Sequence, residues 1–161
     1  MDSPAAILLT HAHFDHIGAI EHLQKLHEGL PVCIHGGDLP MLGHPLNANL
    51  PDYPPVAMPD NVVVFGSGAG EKLCGGARVV ATPGHSPGSV CYYLEDDALV
   101  LTGDTLFAGS AGRTDLPGGS MAALMRSLGL LRSLPDATVV VPGHGAQTTI
   151  GKEKTTNPFF L

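Results

Sequence analysis

The chain contains no tryptophan and few aromatic residues of any kind, 5%, so its core has to be assembled from aliphatic side chains. It is also poor in charge. Only 14% of its residues are charged, with 8 basic against 15 acidic side chains and a net charge of −7. A net acidic chain with no basic cluster excludes a nucleic-acid backbone as its natural partner. The three cysteines, Cys33, Cys74 and Cys91, are odd in number and show no CxxC spacing. That excludes a disulfide framework and a cysteine zinc site, and leaves buried free thiols. No apolar run is long enough to cross a bilayer, and "MDSPAAILL" lacks the basic flank and long apolar centre of a signal peptide. The expectation is therefore a cytoplasmic protein with no membrane partner.

What is present suits one globular unit. With 161 residues, 43% of them hydrophobic, and 21 Gly and 14 Pro, the composition predicts a single α/β domain over residues 1–161. "AAILLT" reads as a buried strand, and Ile20, Leu23, Leu26 and Leu30 fall at helical spacing in the segment after it, which Gly29 and Pro31 close. "VCI" predicts a second strand. Residues 36–60 are too rich in Pro, Gly and Asn for continuous regular structure. "NVVVF", "ARVVAT", "VCYYLE" and "ALVLT" are short β-rich runs, the last two joined by "EDDA" as a hairpin turn. Ser120 is placed as the N-cap of a helix whose apolar face carries Met121, Leu124, Met125, Leu128 and Leu131. "TVVV" returns to strand, and a short last helix ends at Asn157 and Pro158.

The most informative residues stand at the strand ends. "THAHFDH" supplies His11, His13, Asp15 and His16 after the first strand; "ATPGHS" supplies His85; "LTGDT" supplies Asp104; "VPGH" supplies His144. Strand ends on one edge of a sheet converge in space, and Gly84, Gly103 and Gly143 permit the sharp turns that aim these side chains inward. Imidazole and carboxylate donors suit divalent zinc, iron or manganese, and five histidines with two aspartates exceed what one tetrahedral ion uses. Two metal ions are expected, zinc first among them. The remaining histidines have plainer readings: His22 and His27 as helix-surface residues, His35 and His44 as loop residues. "GSGAG" lacks the Gly-Lys-Ser/Thr of a phosphate loop and reads as a turn.

HxHxDH together with a later Gly-His, a post-strand Asp and a last His resembles the metallo-β-lactamase superfamily. The resemblance implies an αββα sandwich, with one metal on His11, His13 and His85, a second on Asp15, His16 and His144, and Asp104 bridging the two. "GRTDLPGGS" and "TNPFFL" are similar to the small type II glyoxalases, the hydroxyacylglutathione hydrolases. That likeness implies hydrolysis of a small-molecule thioester by a hydroxide shared between two metals, with Asp15 and Asp104 as the catalytic carboxylates that hold the metals and orient it. Lys152 and Lys154 are the implied grips for the glutathione carboxylates. Arg113, a weaker substrate-side candidate, pairs with Asp115 to brace the loop. Members of the family ordinarily carry further strands before the HxHxDH strand. The likeness therefore implies an N-terminally truncated sandwich, either a fragment or a form covered by another copy or a complementing chain. There are two rival readings: a single-iron persulfide dioxygenase using His11, His85 and Asp104, and an inactive or complementation-dependent metal-binding fragment.

Overall fold

Short β-branched runs set out two sheets in the computed structural model, which describes residues 3–44, 56–66, 72–73 and 76–160. In the first sheet β1 (Ile7–Leu8), β2 (Val32–His35) and β3 (Val62–Phe65) lie parallel in that order. The second sheet is mixed, in the order β10 (Thr148–Thr149), β9 (Val139–Pro142), β6 (Leu99–Gly103), β5 (Val90–Leu94) and β4 (Arg78–Ala81). Its β4–β5, β5–β6 and β9–β10 pairs are antiparallel and its β6–β9 pair is parallel. A separate hairpin joins β7 (Leu106–Phe107) to β8 (Ser110–Ala111). The "EDDA" turn closes as expected, with the Ala98 N–H donating to the Glu95 carbonyl at 3.1 Å.

The pleat decides which residues meet. Along β5, Val90 and Tyr92 point one way and pack with Cys33, Phe65 and Val79, which joins the two sheets face to face. Cys91 and Tyr93 point the other way, into a cluster with Val100, Val140, Leu124, Leu128, Leu131, Ile150 and Phe160. That cluster roofs the second sheet with α3 (Met121–Arg132) and α4 (Ile150–Thr156). On the far side Val32 and Ile34 of β2 pack with Ile17 and Ile20 of α1 (Phe14–Ile17) and α2 (Ile20–Leu26). Helices, sheet, sheet and helices therefore stack in four layers, the αββα arrangement that the sequence led us to expect. No helix among the described residues is long and apolar enough to cross a membrane.

Two expectations need correction. Met121 and Met125 are not core residues: they are 47% and 43% exposed. The buried stripe of α3 is Leu124, Ser127, Leu128 and Leu131. Met125 lies about 100° round the helix from Leu124, and Met121 stands in the open first turn. Ser127 holds the inward place because its hydroxyl donates to the Pro83 carbonyl at 2.7 Å. The first strand is also shorter than "AAILLT", because Thr10 turns away to accept the Val90 N–H at 2.9 Å. Ser120 caps α3 as expected, accepting the Ala123 N–H at 3.3 Å. Cys33 and Cys91 are buried thiols. Burial pushes the Cys91 thiol up to about 11, against hydrogen bonds from Thr82 and Thr105 that act the other way. Cys74, residues 45–55 of the long loop and residues 67–70 of "GSGAG" lie outside the described residues.

Candidate metal centre

The seven expected ligands do meet, and local chain geometry explains how. After β1 the backbone stays extended through His13 (φ −69°, ψ 150°), so His11 and His13 fall on one side of it. The chain then enters α1, whose first turn brings Asp15 and His16 round beside them; the His16 N–H donates to the His13 carbonyl at 2.9 Å. His85 comes directly after Gly84, which has φ +142° and presses so close to α3 that a Cβ would strike the Leu124 backbone. At the end of β6 a register shift between Leu101 and Gly103 frees Asp104 from the ladder. The Gly143 N–H donates to the Gly103 carbonyl at 2.8 Å, which brings His144 alongside. A Cβ at Gly143 would strike the Asp104 carboxylate.

Two sets of donors result, with Asp104 between them. The ligand atoms of His11, His13 and His85 lie within 4.8 Å of one another, and so do those of Asp15, His16 and His144. His13 Nδ1 stands 2.8 Å from His85 Nε2, while the His11 ring meets those of His13 and His85 edge-on at 4.8 Å. Asp104 Oδ2 is 3.6 Å from Nε2 of both His85 and His144, and its Oδ1 is 3.3 Å from His16 Nε2. Asp15 Oδ2 is 3.1 Å from His144 Nε2. The first set is the more enclosed, with His11 and His85 buried and His13 half-buried, and the second opens at His144: the His85 side chain is 3% exposed and that of His144 55%. A substrate would therefore enter from the His144 side.

The donors fit cations. A carbonyl can only accept, so His85 Nδ1, 2.8 Å from the Arg113 carbonyl, carries the proton and leaves Nε2 as a lone pair. Thr10 Oγ1 lies 3.1 Å from His11 Nδ1 and orients that ring. Nε2 of His11, Nε2 of His16 and Oδ1 of Asp104 are buried without a hydrogen-bond partner. Native interiors rarely leave such atoms unpaired, and metal ions on the two donor sets, with Asp104 between them, would satisfy all three. The protonation states agree. Burial, then the nearby imidazoles of His16, His13, His85 and His144, push the His11 pKa far down and keep it neutral. Burial and, after it, His85 also lower His13, against the carboxylates of Asp38, Asp15 and Asp104. For Asp104 burial acts upward, but the electrostatic effect of the surrounding His16, His85 and His144 prevails and lowers it, which favours the ionised carboxylate.

Stability should therefore depend on pH. The unfolded chain protonates His11 below roughly pH 6.5, whereas the folded protein does not. A histidine held neutral contributes stability that is complete above that pH and is lost as the pH falls. The metal-free protein is expected to lose up to about 1.4 kcal/mol per pH unit from this residue alone below that point. Urea midpoints taken at descending pH measure the loss, and a flat profile would contradict it.

The expected substrate residues fare differently. Arg113 is exposed and forms a two-pronged ion pair with Asp115 at 2.6 and 2.7 Å; the guanidinium holds the Asp115 carboxyl down at about 2. The two side chains pair with one another at the surface of the loop. The contribution of this residue to the centre is its backbone carbonyl on His85, which no side-chain pattern announces. Lys152 is exposed on α4. Lys154 has to be corrected: its Nζ binds Asp136 Oδ1 at 2.5 Å and the Leu134 carbonyl at 3.2 Å. Those partners precede β9, at the end opposite His144, so this ammonium is anchored away from the centre. His22 is exposed, and His35 and His44 belong to neither ligand set. Sequence reasoning does not find Asp38 at all. It is a fully buried carboxylate that reaches both histidine loops, and its only sequence signal is a lone acid after two glycines in "IHGGDL".

Comparison with known proteins agrees with this geometry. The pattern of the metallo-beta-lactamase superfamily matches residues 2–144. A probable metallo-hydrolase of Bacillus subtilis, YqgX, is 42% identical over 98% of this chain and 76% of its own length. Hydroxyacylglutathione hydrolase GloC of Haemophilus influenzae is 34% identical over 95% of this chain and 74% of its own. Among solved structures, TTHA1623 in a di-iron-bound form superposes with a TM-score of 0.84 at 48% identity, covering 97% of this chain and 77% of that one. The BLEG-1 B3 metallo-beta-lactamase superposes with a TM-score of 0.88 at 40% identity, covering 98% and 78%. With its strand-end ligands gathered between two sheets and with these relatives, the chain belongs to the metallo-β-lactamase superfamily.

Proposed function

We propose that the chain is a binuclear metal-dependent hydrolase of a glutathione thioester or a similar small ester. The observation that carries this reading is the presence of two complete donor sets on either side of Asp104. A single-iron dioxygenase would need only His11, His85 and Asp104, and would leave Asp15, His16 and His144 gathered without purpose. The relative named hydroxyacylglutathione hydrolase supports the thioester substrate. Two divalent cations bound here would supply a water whose pKa falls toward ~7 and a positive field for a developing oxyanion. The part of the chain is to hold His11 and His13 neutral beside His85 at one position, to hold Asp15, His16 and His144 at the other, and to keep the ionised Asp104 between them. Water oxygen bonds to the thioester carbon, the carbon–sulfur bond breaks with its electron pair leaving on sulfur, and the protons of the water pass to solvent as the carboxylate forms. A thiol pKa near ~8.5 makes that thiolate a fair leaving group, so none of these residues has to protonate it.

The test loads the purified protein with zinc, iron or manganese, counts metal per chain by elemental analysis, and monitors hydrolysis of S-D-lactoylglutathione with a β-lactam as the comparison substrate. The expected result is two ions per chain and thioester cleavage, with His13→Ala reducing the rate by at least about 10³-fold, since losing about 4 kcal/mol of charge stabilisation amounts to that factor. Full activity in the His13→Ala protein would end the proposal, as would cleavage of the β-lactam alone.

A further inference from the structure

We propose that Asp38 is the positioning residue of the first metal site: its carboxylate ties the loop bearing His11 and His13 to the loop bearing His85, and so sets the affinity of that site and not of the second. The inference rests on the two-site reading of the centre and is independent of which substrate is hydrolysed.

Asp38 lies just after β2 in a turn closed by its own N–H on the His35 carbonyl at 3.0 Å, and it has no exposed surface. Its Oδ2 accepts the Ala12 N–H at 3.0 Å and the Ser86 hydroxyl at 2.7 Å, and its Oδ1 accepts the Gly88 N–H at 2.5 Å. Ala12 is the residue between His11 and His13, and Ser86 is the residue after His85. One side chain thus reaches both segments that supply the first set. All three partners are donors, which suits an acceptor-only carboxylate, and such charge-assisted bonds in a dry interior are among the stronger ones. The hydroxyls extend the brace. With the Ser86 proton committed to Asp38, Ser89 Oγ at 2.6 Å donates to Ser86 Oγ and accepts the Ser86 N–H at 3.1 Å. This orients the backbone immediately after His85.

Packing leaves no substitute for the carboxylate. A Cβ on Gly37 would stand 2.9 Å from the Gly88 Cα, and one on Gly88 would strike the Asp38 backbone. The two loops touch backbone to backbone, with no space between them for a larger group. Among the described residues the donors to the Asp38 carboxylate are Ala12, Ser86 and Gly88, none of which adjoins Asp104 or His144. The effect should therefore be confined to one site. Residues that orient metal ligands through hydrogen bonds typically change affinity by roughly 10- to 100-fold.

The test is a stepwise Co(II) titration of metal-free protein, read by visible absorption and by chelator competition. The His13→Ala and His144→Ala proteins identify which binding step belongs to which set. Asp38→Asn keeps the shape but turns an amide NH₂ toward a donor. It should weaken the first step roughly 10- to 100-fold, alter the absorption of Co(II) in that site, and leave the second step within about threefold. Ser86→Ala removes one donor and leaves the carboxylate in place, so it should give a smaller loss in the same step; it carries the test if Asp38→Asn does not fold. Unchanged first-site affinity in a folded variant, or equal losses at both sites, would overturn the proposal. Site-selective weakening in a protein that fails to cleave thioesters would uphold Asp38 while ending the thioester assignment.

Discussion

Asp104→Ala should reduce the metal content from two ions per chain to one or none, and should cut hydrolysis by at least about 10³-fold, the equivalent of about 4 kcal/mol. Among the described residues no other carboxylate lies between the two donor sets: one of its oxygens is 3.6 Å from both His85 and His144, and the other is 3.3 Å from His16. Loss of the carboxylate also takes negative charge away from five neighbouring imidazoles. Two cations then have to approach one another with one fewer anion to screen them. The fold should persist, because the described contacts of this carboxylate are with the ligand imidazoles and none of them joins elements of the core. Elemental analysis, the thioester assay and far-UV circular dichroism on the same preparation decide the matter. Two retained ions with activity within tenfold of the parent protein would show that Asp104 does not bridge.

The largest effect on stability is expected from Glu153→Ala, a residue of neither donor set that is packed among the last elements of the chain. Glu153 lies on α4 with no exposed surface. Its Oε1 accepts the Thr148 hydroxyl at 2.6 Å, and its Oε2 accepts the Gly109 N–H and the Asn157 side-chain amide, both at 2.8 Å. Asn157 in turn donates to the Ser110 carbonyl at 3.0 Å. One carboxylate thus ties α4 to the β7–β8 hairpin. Alanine would leave the Thr148 hydroxyl and one N–H of the Asn157 amide without an acceptor in a dry interior and turn the exposed Gly109 N–H to water, at a cost of about 2–5 kcal/mol. Against a total stability of about 5–15 kcal/mol, that is a large share. Urea unfolding of the metal-free protein measures it, and a loss below about 1 kcal/mol would mean that water replaces the carboxylate. Metal stoichiometry should be unaffected while the protein remains folded. That separates this brace from Asp38, whose loss should act on metal affinity.

Much of the centre was legible in the sequence because the chemistry is local. An HxH pair on extended backbone puts both imidazoles on one side whatever the fold, and a ligand-type residue after each of three further strands marks an edge where side chains converge. Longer elements were legible for a similar reason: α3 and β5 carry enough residues for a period to register. Two-residue strands such as β7, β8 and β10 carry no period at all, and the four-residue α1 was hidden inside the ligand motif. Met121 and Met125 matched an apolar stripe by type, yet what each helix face meets depends on a neighbouring sheet that the helix sequence does not encode. Lys154 illustrates the converse. Its charge suited a substrate carboxylate, but Asp136, eighteen positions earlier, is the partner that chain folding supplies.

The amino-acid order by itself determined which seven side chains could hold metal, because donor chemistry and backbone alternation are properties of short segments. Tertiary structure alone decided that these donors divide into a more enclosed trio and a trio that opens to solvent at His144, that a backbone carbonyl and the buried Asp38 brace the first, and that one candidate lysine is turned elsewhere. Those outcomes depend on distances between segments tens of residues apart, which arise only when two sheets close on one another and exclude water from between them.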